Sequence, residues 1–414
     1  MRRTDTIVIG GGQAGLAVSR CLHGAGRDHV VLERGRLGQS WRSERWDSLR
    51  LLTPSWMNRL PGLDGDDHDP DGFLTGPALV DVFERYARSF GAPIEEQTTV
   101  EAVTWDGRRY AVVTDQGVWH ADHLVVATGH CMQPRVPAFA AGLDPSIHQV
   151  TSPRYRRPTQ LPDGGVLVVG GSATGTQIAD ELARAGRDVV LAVGEHTRMP
   201  RTYRGFDIFW WLREAGILES HIDDHPAPSG ASRSPSMQLV GSPDRRDLDL
   251  GTCLAAGVEV AGRLRDLSGS QAQFDRSLAD AAQRSEARMH RTLDAVDRFI
   301  DATHLTDEVD APARPTPLRL GRVPDGLDLR SRRIRTVLWA TGFDRHYPWL
   351  PATALDGRGE IRHRHGVGAL PGLYVVGLRF QRHRSSSFIG GVGSDARFVV
   401  DHLVGRSTRE AVAA

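Results

Sequence analysis

Residues 7–33 read IVIGGGQAGLAVSRCLHGAGRDHVVLE, and residues 167–193 read LVVGGSATGTQIADELARAGRDVVLAV. In both stretches an apolar run leads into a glycine-rich turn, an amphipathic segment follows, and a second apolar run ends the unit. This pattern predicts strand, turn, helix and strand, with both strands buried in a parallel sheet. Gly10 aligns with Gly170 and Gly15 with Gly175, so the chain contains one structural unit twice.

The glycine spacing in each unit, Gly-x-[Gly/Ser]-x-x-Gly between a strand and a helix, is typical of a dinucleotide-binding turn. The first glycine permits the tight turn, the second lets the backbone approach a pyrophosphate, and the helix N-terminus offers free N–H groups. One such turn is a weak indication, but two in the same context favour nucleotide binding over two ordinary strand–helix turns. The predicted binding residues are Gly10, Gly12, Gln13, Ala14 and Gly15 in the first unit, and Gly170, Ser172, Ala173, Thr174 and Gly175 in the second.

The two units differ at the end of their second strand. Glu33 ends the first unit, and a carboxylate there accepts hydrogen bonds from a ribose diol, so this unit is predicted to bind FAD. Val193 holds the matching position in the second unit. Arg198, Arg201 and Arg204 follow it and favour a 2′-phosphate, and therefore NADPH. Glu195 leaves NADH open as the alternative, and a solvated loop is the alternative for the arginines.

A second repeated pattern supports the duplication. Residues 124–129 read LVVATG and residues 337–342 read VLWATG. Small residues at a strand end let the chain pass close to a cofactor, so both tripeptides are candidate cofactor-binding residues: Ala127, Thr128 and Gly129, and Ala340, Thr341 and Gly342. The predicted fold is α/β with two Rossmann-like domains, in which an NADPH domain (160–325) is inserted into a discontinuous FAD domain (1–155 and 330–414).

Composition excludes several function classes. The 51 basic residues balance the 51 acidic ones in a chain of 414 residues, so neither nucleic acid nor an anionic membrane is expected as a partner. Every basic residue is an arginine, which excludes lysine chemistry such as a Schiff base. The three cysteines form no C-x-x-C pair, which excludes a dithiol redox centre and fits a cytoplasmic protein. No apolar run is long enough to span a membrane.

Several longer motifs carry a family resemblance: Ser40-Trp41-Arg42, Trp46-Asp47-Ser48, residues 53–62 (TPSWMNRLPG), residues 204–212 (RGFDIFWWL), residues 339–343 (WATGF) and the stretch from Gly372 to Ala396. With these motifs the chain resembles the class B flavin monooxygenases over nearly its whole length. That group includes the flavin-containing, YUCCA-type, N-hydroxylating and Baeyer–Villiger enzymes. The resemblance is to a bacterial single-chain branch.

The resemblance implies a reaction cycle. NADPH reduces FAD, O₂ adds at flavin C4a, and the resulting hydroperoxide transfers one oxygen atom to nitrogen or sulfur of a small organic substrate. It also implies further cofactor contacts, with Glu33 and Trp41 on the FAD adenosine side, Met57 and Asn58 near the flavin ring, and Gly377, Leu378 and Gln381 closing over it. No side chain is assigned as catalytic, because most of the reactivity belongs to the cofactor.

Departures from the family pattern leave alternatives open. Thr151 stands where the family fingerprint has a histidine, so a non-oxygenating NADPH oxidase or a redox-sensing flavoprotein is one alternative. Baeyer–Villiger oxygenation of a ketone is another, with Arg201, Arg204 or Arg382 as the stabilising cation. No metal site is expected, because no carboxylate or cysteine accompanies His363-x-His365 in the sequence. The chain is predicted to be a monomer or a homodimer.

Overall fold

The computed structural model describes residues 2–63, 68–226, 230 and 232–405. Two sheets with parallel cores dominate this part of the chain, and each contains one of the two repeated units. The predicted α/β class with two Rossmann-like folds is confirmed. Residues 406–414, at the end of the predicted FAD domain, lie outside the described residues.

The first sheet has seven strands and contains the first repeated unit near its centre. Its five strands from Leu373–Val375 onwards are parallel, and a short antiparallel hairpin extends one edge. In spatial order the strands are His363–Arg364, Val367–Gly368, Leu373–Val375, His123–Val126, Thr6–Ile9, His29–Leu32 and Ile94–Glu95.

The two faces of this sheet have different neighbours, because side chains alternate along a strand. Val8 packs in a core with three helices, Gln13–Gly24, Gly76–Ser89 and Val392–Leu403. Ile7 packs in a second core with an antiparallel sheet. The strands of that sheet are Arg2–Arg3, Val100–Trp105, Tyr110–Thr114 and Gly117–Ala121.

The second sheet repeats this arrangement with five parallel strands. In spatial order they are His148–Thr151, Ile334–Trp339, Gly165–Val169, Val189–Ala192 and Glu259–Ala261. Val168 packs against the helices Ala173–Arg184 and Leu250–Ala255. Leu167 packs on the opposite face against an antiparallel sheet. The strands of that sheet are Leu264–Ser268, Gln271–Phe274 and Gly326–Asp328.

The strand order corrects the predicted domain boundaries. Residues 148–151 and 334–339 both belong to the second sheet, where Ile334–Trp339 pairs directly with Gly165–Val169. The predicted limits assign both strands to the FAD domain (1–155 and 330–414), but both strands complete the second sheet. The limits at 155 and 330 are therefore wrong. The second unit extends from about residue 148 to residue 339.

The remaining elements are short, apart from one long helix, Leu278–Ala302. They include the helices Gln39–Ser43 and Ile208–Glu214, and three two-stranded ribbons: Thr197–Arg198 with Met237–Gln238, Thr202–Tyr203 with Phe206–Asp207, and Gln133–Pro134 with Phe343–Asp344. Seven single 3₁₀ turns complete the described elements: Ser55–Met57, Ala138–Gly142, Ser152–Arg154, Pro158–Gln160, Ile222–Asp224, Thr306–Glu308 and Ala352–Ala354. No helix among the described residues is both long enough and apolar enough to cross a membrane.

Candidate cofactor and substrate site

The first glycine turn can only be formed by glycine at two positions. Gly10 has φ +112°, and a Cβ there would lie 2.7 Å from the Ala127 carbonyl oxygen. A Cβ on Gly15 would lie 1.9 Å from the Gly10 carbonyl oxygen, so the helix packs directly on the turn. Gly12 differs, because no atom lies within 4 Å of its Cβ position and no side chain caps the helix that follows. The turn thus leaves room and free N–H groups for a pyrophosphate.

Glu33 is held at the strand end that faces this turn. Its carboxylate accepts hydrogen bonds from the backbone N–H groups of Gly11, at 2.7 Å, and Gly35, at 3.0 Å. It is buried yet borders the cavity described below. Trp41 also borders that cavity, with the Arg45 guanidinium 5.0 Å from its ring centroid. The fixed carboxylate fits a ribose diol, whose hydroxyls donate to it.

The second glycine turn repeats the first. Gly170 has φ +120°, and its Cβ position lies 2.3 Å from the Ala340 carbonyl oxygen. A Cβ on Gly175 would lie 1.7 Å from the Gly170 carbonyl oxygen. Ser172 begins the helix Ala173–Arg184 without a capping hydrogen bond from its own hydroxyl, so free N–H groups remain. The Thr341 hydroxyl donates to the Arg135 carbonyl and thereby fixes the tripeptide 340–342.

The three arginines predicted to bind a 2′-phosphate are used inside the protein. Their side chains are buried, and each pairs with a carboxylate: Arg198 with Asp249 at 2.6 Å, Arg201 with Asp207 at 2.7 Å, and Arg204 with Asp297 at 3.3 Å. Arg201 also donates to the Leu52 carbonyl. The prediction for these three residues is therefore wrong, because a buried guanidinium paired with a protein carboxylate is not free to bind a phosphate.

Positive charge reaches the second unit from the long helix instead. Arg284 and Arg288 of this helix pair with Glu195, at 2.5 and 3.5 Å. Arg288 also donates to the His196 carbonyl, and both Arg288 and Arg291 border the cavity. Glu195 is thereby held by arginines of the long helix, and NADH stays the alternative to NADPH.

The first glycine turn and the start of the helix that follows the second turn border one shared cavity of about 1740 Å³. The first unit contributes Gly10, Gly12, Gln13, Ala14 and Glu33, and the second contributes Ala173, Thr174 and Gln177. Ala127, Thr128, Gly129 and Gly377 border the same cavity, whereas Ala340, Thr341 and Gly342 are not among its lining residues. Residues of both repeated units therefore contribute to the wall of one cavity.

Four residues implied by the resemblance support the cavity wall without bordering the cavity. The buried Asn58 amide donates to the Pro54 carbonyl and accepts from the Thr53 hydroxyl at 2.7 Å. Gln381 likewise donates to the Val375 carbonyl at 2.9 Å and accepts from the backbone N–H of Leu378 at 3.3 Å. The cavity is bordered instead by Thr53 and Arg379. Met57 also lies outside the wall, packed against the core that includes Trp211.

Among the wall residues that the sequence did not predict are His130, Arg379 and Arg384. Burial, followed by the charge of the nearby Arg379 guanidinium, lowers the pKa of His130 to about 4. Arg379 donates to the Ser234 carbonyl at 2.6 Å, and Arg384 lies over the Phe380 ring. Within the described residues neither arginine pairs with a carboxylate. Nothing in the local sequence distinguishes them from surface arginines.

Two further residues are placed by the structure. Arg382, a candidate cation for ketone oxygenation, lies 3.6 Å from Asp395 and stacks on Phe398, so it is part of the protein core packing. Cys131 borders the cavity, and burial raises the pKa of its thiol. A neutral thiol is a poor nucleophile.

Comparison with known proteins agrees with this geometry. Residues 7–205 match a family model described as pyridine nucleotide-disulphide oxidoreductase. The chain is 32% identical to an oxidoreductase of Geobacillus kaustophilus, described as CzcO-like, over 97% of this chain and 98% of that one. It is 31% identical to the indole-3-pyruvate monooxygenase YUCCA1 of rice, over 49% of this chain and 51% of that one.

Solved structures show the same fold. A flavin-containing monooxygenase from Stenotrophomonas maltophilia superposes with a TM-score of 0.66 at 18% identity, over 98% of this chain and 99% of that one. The family implies a flavin and a nicotinamide nucleotide as cofactors, and the two glycine turns fit such groups. The chain belongs to the family of bacterial oxidoreductases described as CzcO-like, and it is similar to flavin-dependent monooxygenases over half of its length.

Proposed function

We propose that the protein is an NADPH- and O₂-dependent FAD monooxygenase that oxygenates nitrogen or sulfur of a small organic substrate. One observation carries this proposal: one cavity is bordered by the first glycine turn and by the start of the helix that follows the second, similar turn. Hydride transfer needs a nicotinamide in contact with a flavin, and a shared cavity permits that contact.

The residues of the first unit bind FAD through its pyrophosphate and its ribose. The N–H groups at Gly12 and the following helix receive the pyrophosphate, and the Glu33 carboxylate receives the ribose hydroxyls. The second unit binds NADPH in the same way through the turn at Ser172. Arg288 and Arg291 provide the positive charge that a 2′-phosphate requires.

The bound flavin supplies the oxygen-transfer chemistry, and the protein supplies placement and a dry environment. Phe209, Leu212, Phe388 and Ile389 form an apolar part of the cavity wall. His130, which also borders the cavity, is uncharged at neutral pH. Amines and sulfides are nucleophilic enough to react without a general base.

The experiment measures where the oxygen goes. Purified protein with FAD, NADPH and ¹⁸O₂ is given methyl p-tolyl sulfide or N,N-dimethylbenzylamine, and NADPH oxidation, H₂O₂ and product are quantified together. We expect one ¹⁸O atom in each product molecule and less H₂O₂ than in the absence of substrate. NADPH oxidation that yields only H₂O₂ with every substrate would favour the NADPH oxidase alternative.

Baeyer–Villiger oxygenation is the second candidate, and the cavity arginines favour it. A ketone substrate requires a cation beside the transferred oxygen, and Arg379 and Arg384 border the cavity with no carboxylate partner among the described residues. Cyclohexanone serves as the probe in the same assay. Conversion to the lactone with one ¹⁸O atom, together with unreacted sulfide and amine, would establish this alternative in place of the first.

A further inference from the structure

Three potential metal ligands from distant parts of the sequence meet at the edge of the cavity. The ligand atoms of His221, Asp223 and His365 all lie within 4.8 Å of one another. The Asp223 carboxylate lies 3.0 Å from His365 Nε2 and 3.7 Å from His221 Nδ1. Within residues 2–63, 68–226, 230 and 232–405, this is the one group of its kind.

Backbone pairing fixes the first two of these residues. The segment from Leu218 to Ile222 runs beside the residues 382–385. The Ser385 N–H donates to the Leu218 carbonyl at 3.1 Å, and the Ile222 N–H donates to the Arg382 carbonyl at 2.7 Å. Asp223 follows in the single helical turn Ile222–Asp224. The second unit is therefore attached here to the C-terminal part of the first.

His365 reaches the group from a tight hairpin turn. The turn joins the strands His363–Arg364 and Val367–Gly368, and His365 has φ +55° with Gly366 at +99°. This left-handed pair directs the chain back on itself and brings the imidazole to Asp223. No metal site is expected at these histidines from the sequence alone, because no carboxylate is close to them in the sequence. Asp223 lies 142 residues from His365 in the sequence, but the two side chains are 3.0 Å apart in the structure.

The dimensions and the donor atoms suit a transition metal. Tetrahedral Zn²⁺ with bonds of about 2.0–2.1 Å places its ligand atoms about 3.3 Å apart, so the observed spacings need only small side-chain rotations. Two imidazoles with one carboxylate favour Zn²⁺ and similar ions over Ca²⁺ or Mg²⁺, which prefer oxygen alone. His383 lies nearby, with its ring centroid 5.1 Å from that of His221 and its Nδ1 against the Glu219 carbonyl.

Neighbouring charges restrict but do not prevent binding. Asp223 is half exposed, so an ion has access, and the Arg364 guanidinium lies 3.9 Å from its carboxylate. Arg364 is itself largely exposed and can turn toward solvent. His221 borders the cavity, so an ion bound here would sit at the edge of the substrate space.

We propose that His221, Asp223 and His365 bind one divalent transition metal ion, with Zn²⁺ as the representative ion. The ion fastens the segment around the turn Ile222–Asp224 to the hairpin turn at His365, across the junction of the two units. This site is separate from both glycine turns and does not depend on which substrate the enzyme oxygenates.

The test is calorimetric titration of tag-free, EDTA-treated, flavin-loaded protein with ZnCl₂. We expect one site per chain in the wild type, and affinity reduced at least tenfold in His221→Ala, in His365→Ala and in Asp223→Asn. His148→Ala is the matched control, because His148 is exposed and outside the group, and it should bind as the wild type does. No binding by the wild type, or equal binding by all the variants, would overturn the proposal.

A spectroscopic measurement identifies the ligands directly and does not depend on activity. The EPR spectrum of one equivalent of Cu²⁺ shows nitrogen hyperfine structure when imidazoles bind the ion, and oxidised flavin is silent in EPR. We expect this structure in the wild type and in Asp223→Asn, and its loss or reduction in the two histidine variants. Circular dichroism establishes that each variant is folded. Hyperfine structure unchanged in both histidine variants would place the ion elsewhere.

Discussion

At the scale of single residues, two glycines of the first turn have different predicted roles: Gly15 is needed for folding and Gly12 for cofactor binding. A Cβ on Gly12 meets open space, whereas a Cβ on Gly15 would lie 1.9 Å from the Gly10 carbonyl oxygen. We expect Gly12→Ala to change the free energy of unfolding of the flavin-free protein by less than about 1 kcal/mol, but to abolish flavin retention. Gly15→Ala should lower that free energy by about 3 kcal/mol, because backbone must move.

Urea denaturation of the flavin-free proteins measures the first quantity, and the ratio of absorbance at the flavin and protein bands measures the second. A Gly12→Ala protein that purified with its full flavin content would contradict the assignment of this turn to the pyrophosphate.

His130 is predicted to make stability depend on pH. Burial and the charges of Arg379, Arg345 and Arg45 lower its pKa to about 4 in the folded state, against 6.5 in the unfolded chain. Because the unfolded chain takes up this proton at a higher pH than the folded protein does, the free energy of unfolding is highest above pH 6.5. It falls by a total of about 3 kcal/mol as the pH decreases toward 4. Relative to His130→Gln, the wild type should lose about 2 kcal/mol of unfolding free energy between pH 7.5 and 5.0.

The measurement is urea denaturation of both proteins at the two pH values, so that all other titrating groups cancel. His148→Gln is the matched control, because His148 is exposed and lies outside the cavity wall. An equal pH dependence of the wild type and His130→Gln would show that His130 is solvated.

At the scale of elements, the sequence predicts what is local and misses what is distant. Each strand–turn–helix unit is encoded within 27 consecutive residues, and the glycine roles follow from that order alone. The prediction fails for two of the arginines after Val193 because their partners lie far away in the sequence: Asp249 is 51 residues from Arg198, and Asp297 is 93 residues from Arg204. The partner of Arg201, Asp207, is only 6 residues away. The local sequence around an arginine does not show whether its side chain lies in a solvated basic loop or forms an ion pair inside the protein.

We propose that the long helix Leu278–Ala302, in place of that loop, determines the coenzyme preference. Arg288 borders the cavity beside His196 and Glu195, just beyond the end of the second strand of the unit. A charge-assisted hydrogen bond to phosphate contributes about 1.5–3 kcal/mol, or roughly 10- to 100-fold in binding. We expect Arg288→Gln to raise KM for NADPH at least tenfold and KM for NADH by less than threefold.

Steady-state kinetics with both coenzymes gives this comparison. Arg284→Gln is the matched control, because Arg284 also pairs with Glu195 but does not border the cavity. It should alter the two KM values by similar, small factors. Equal increases for NADPH and NADH in Arg288→Gln would show that this arginine does not read the 2′-phosphate.

At the scale of the whole molecule, the duplication is visible in the sequence but the sheet membership of the joining strands is not. The strands 148–151 and 334–339 border the predicted insertion on its two sides, and their apolar patterns suit either sheet. Pairing decides the matter, since Ile334–Trp339 lies between His148–Thr151 and Gly165–Val169. The Ala-Thr-Gly ends then occupy the same place in both units, against Gly10 and Gly170.

Because each unit has its own cores, on both faces of its own sheet, the two nucleotide sites should fail independently. In flavin-free Gly12→Ala, NADP⁺ should still stabilise the protein, by about 2.7 kcal/mol at a concentration of 100 Kd. In Ser172→Leu, whose larger side chain fills the second turn, flavin content should stay at the wild-type level while stabilisation by NADP⁺ disappears. Thermal unfolding with and without NADP⁺ measures both effects. If Gly12→Ala also lost its response to NADP⁺, the shared cavity would couple the two sites more strongly than their separate cores suggest, and bound flavin would be part of the NADP⁺ site.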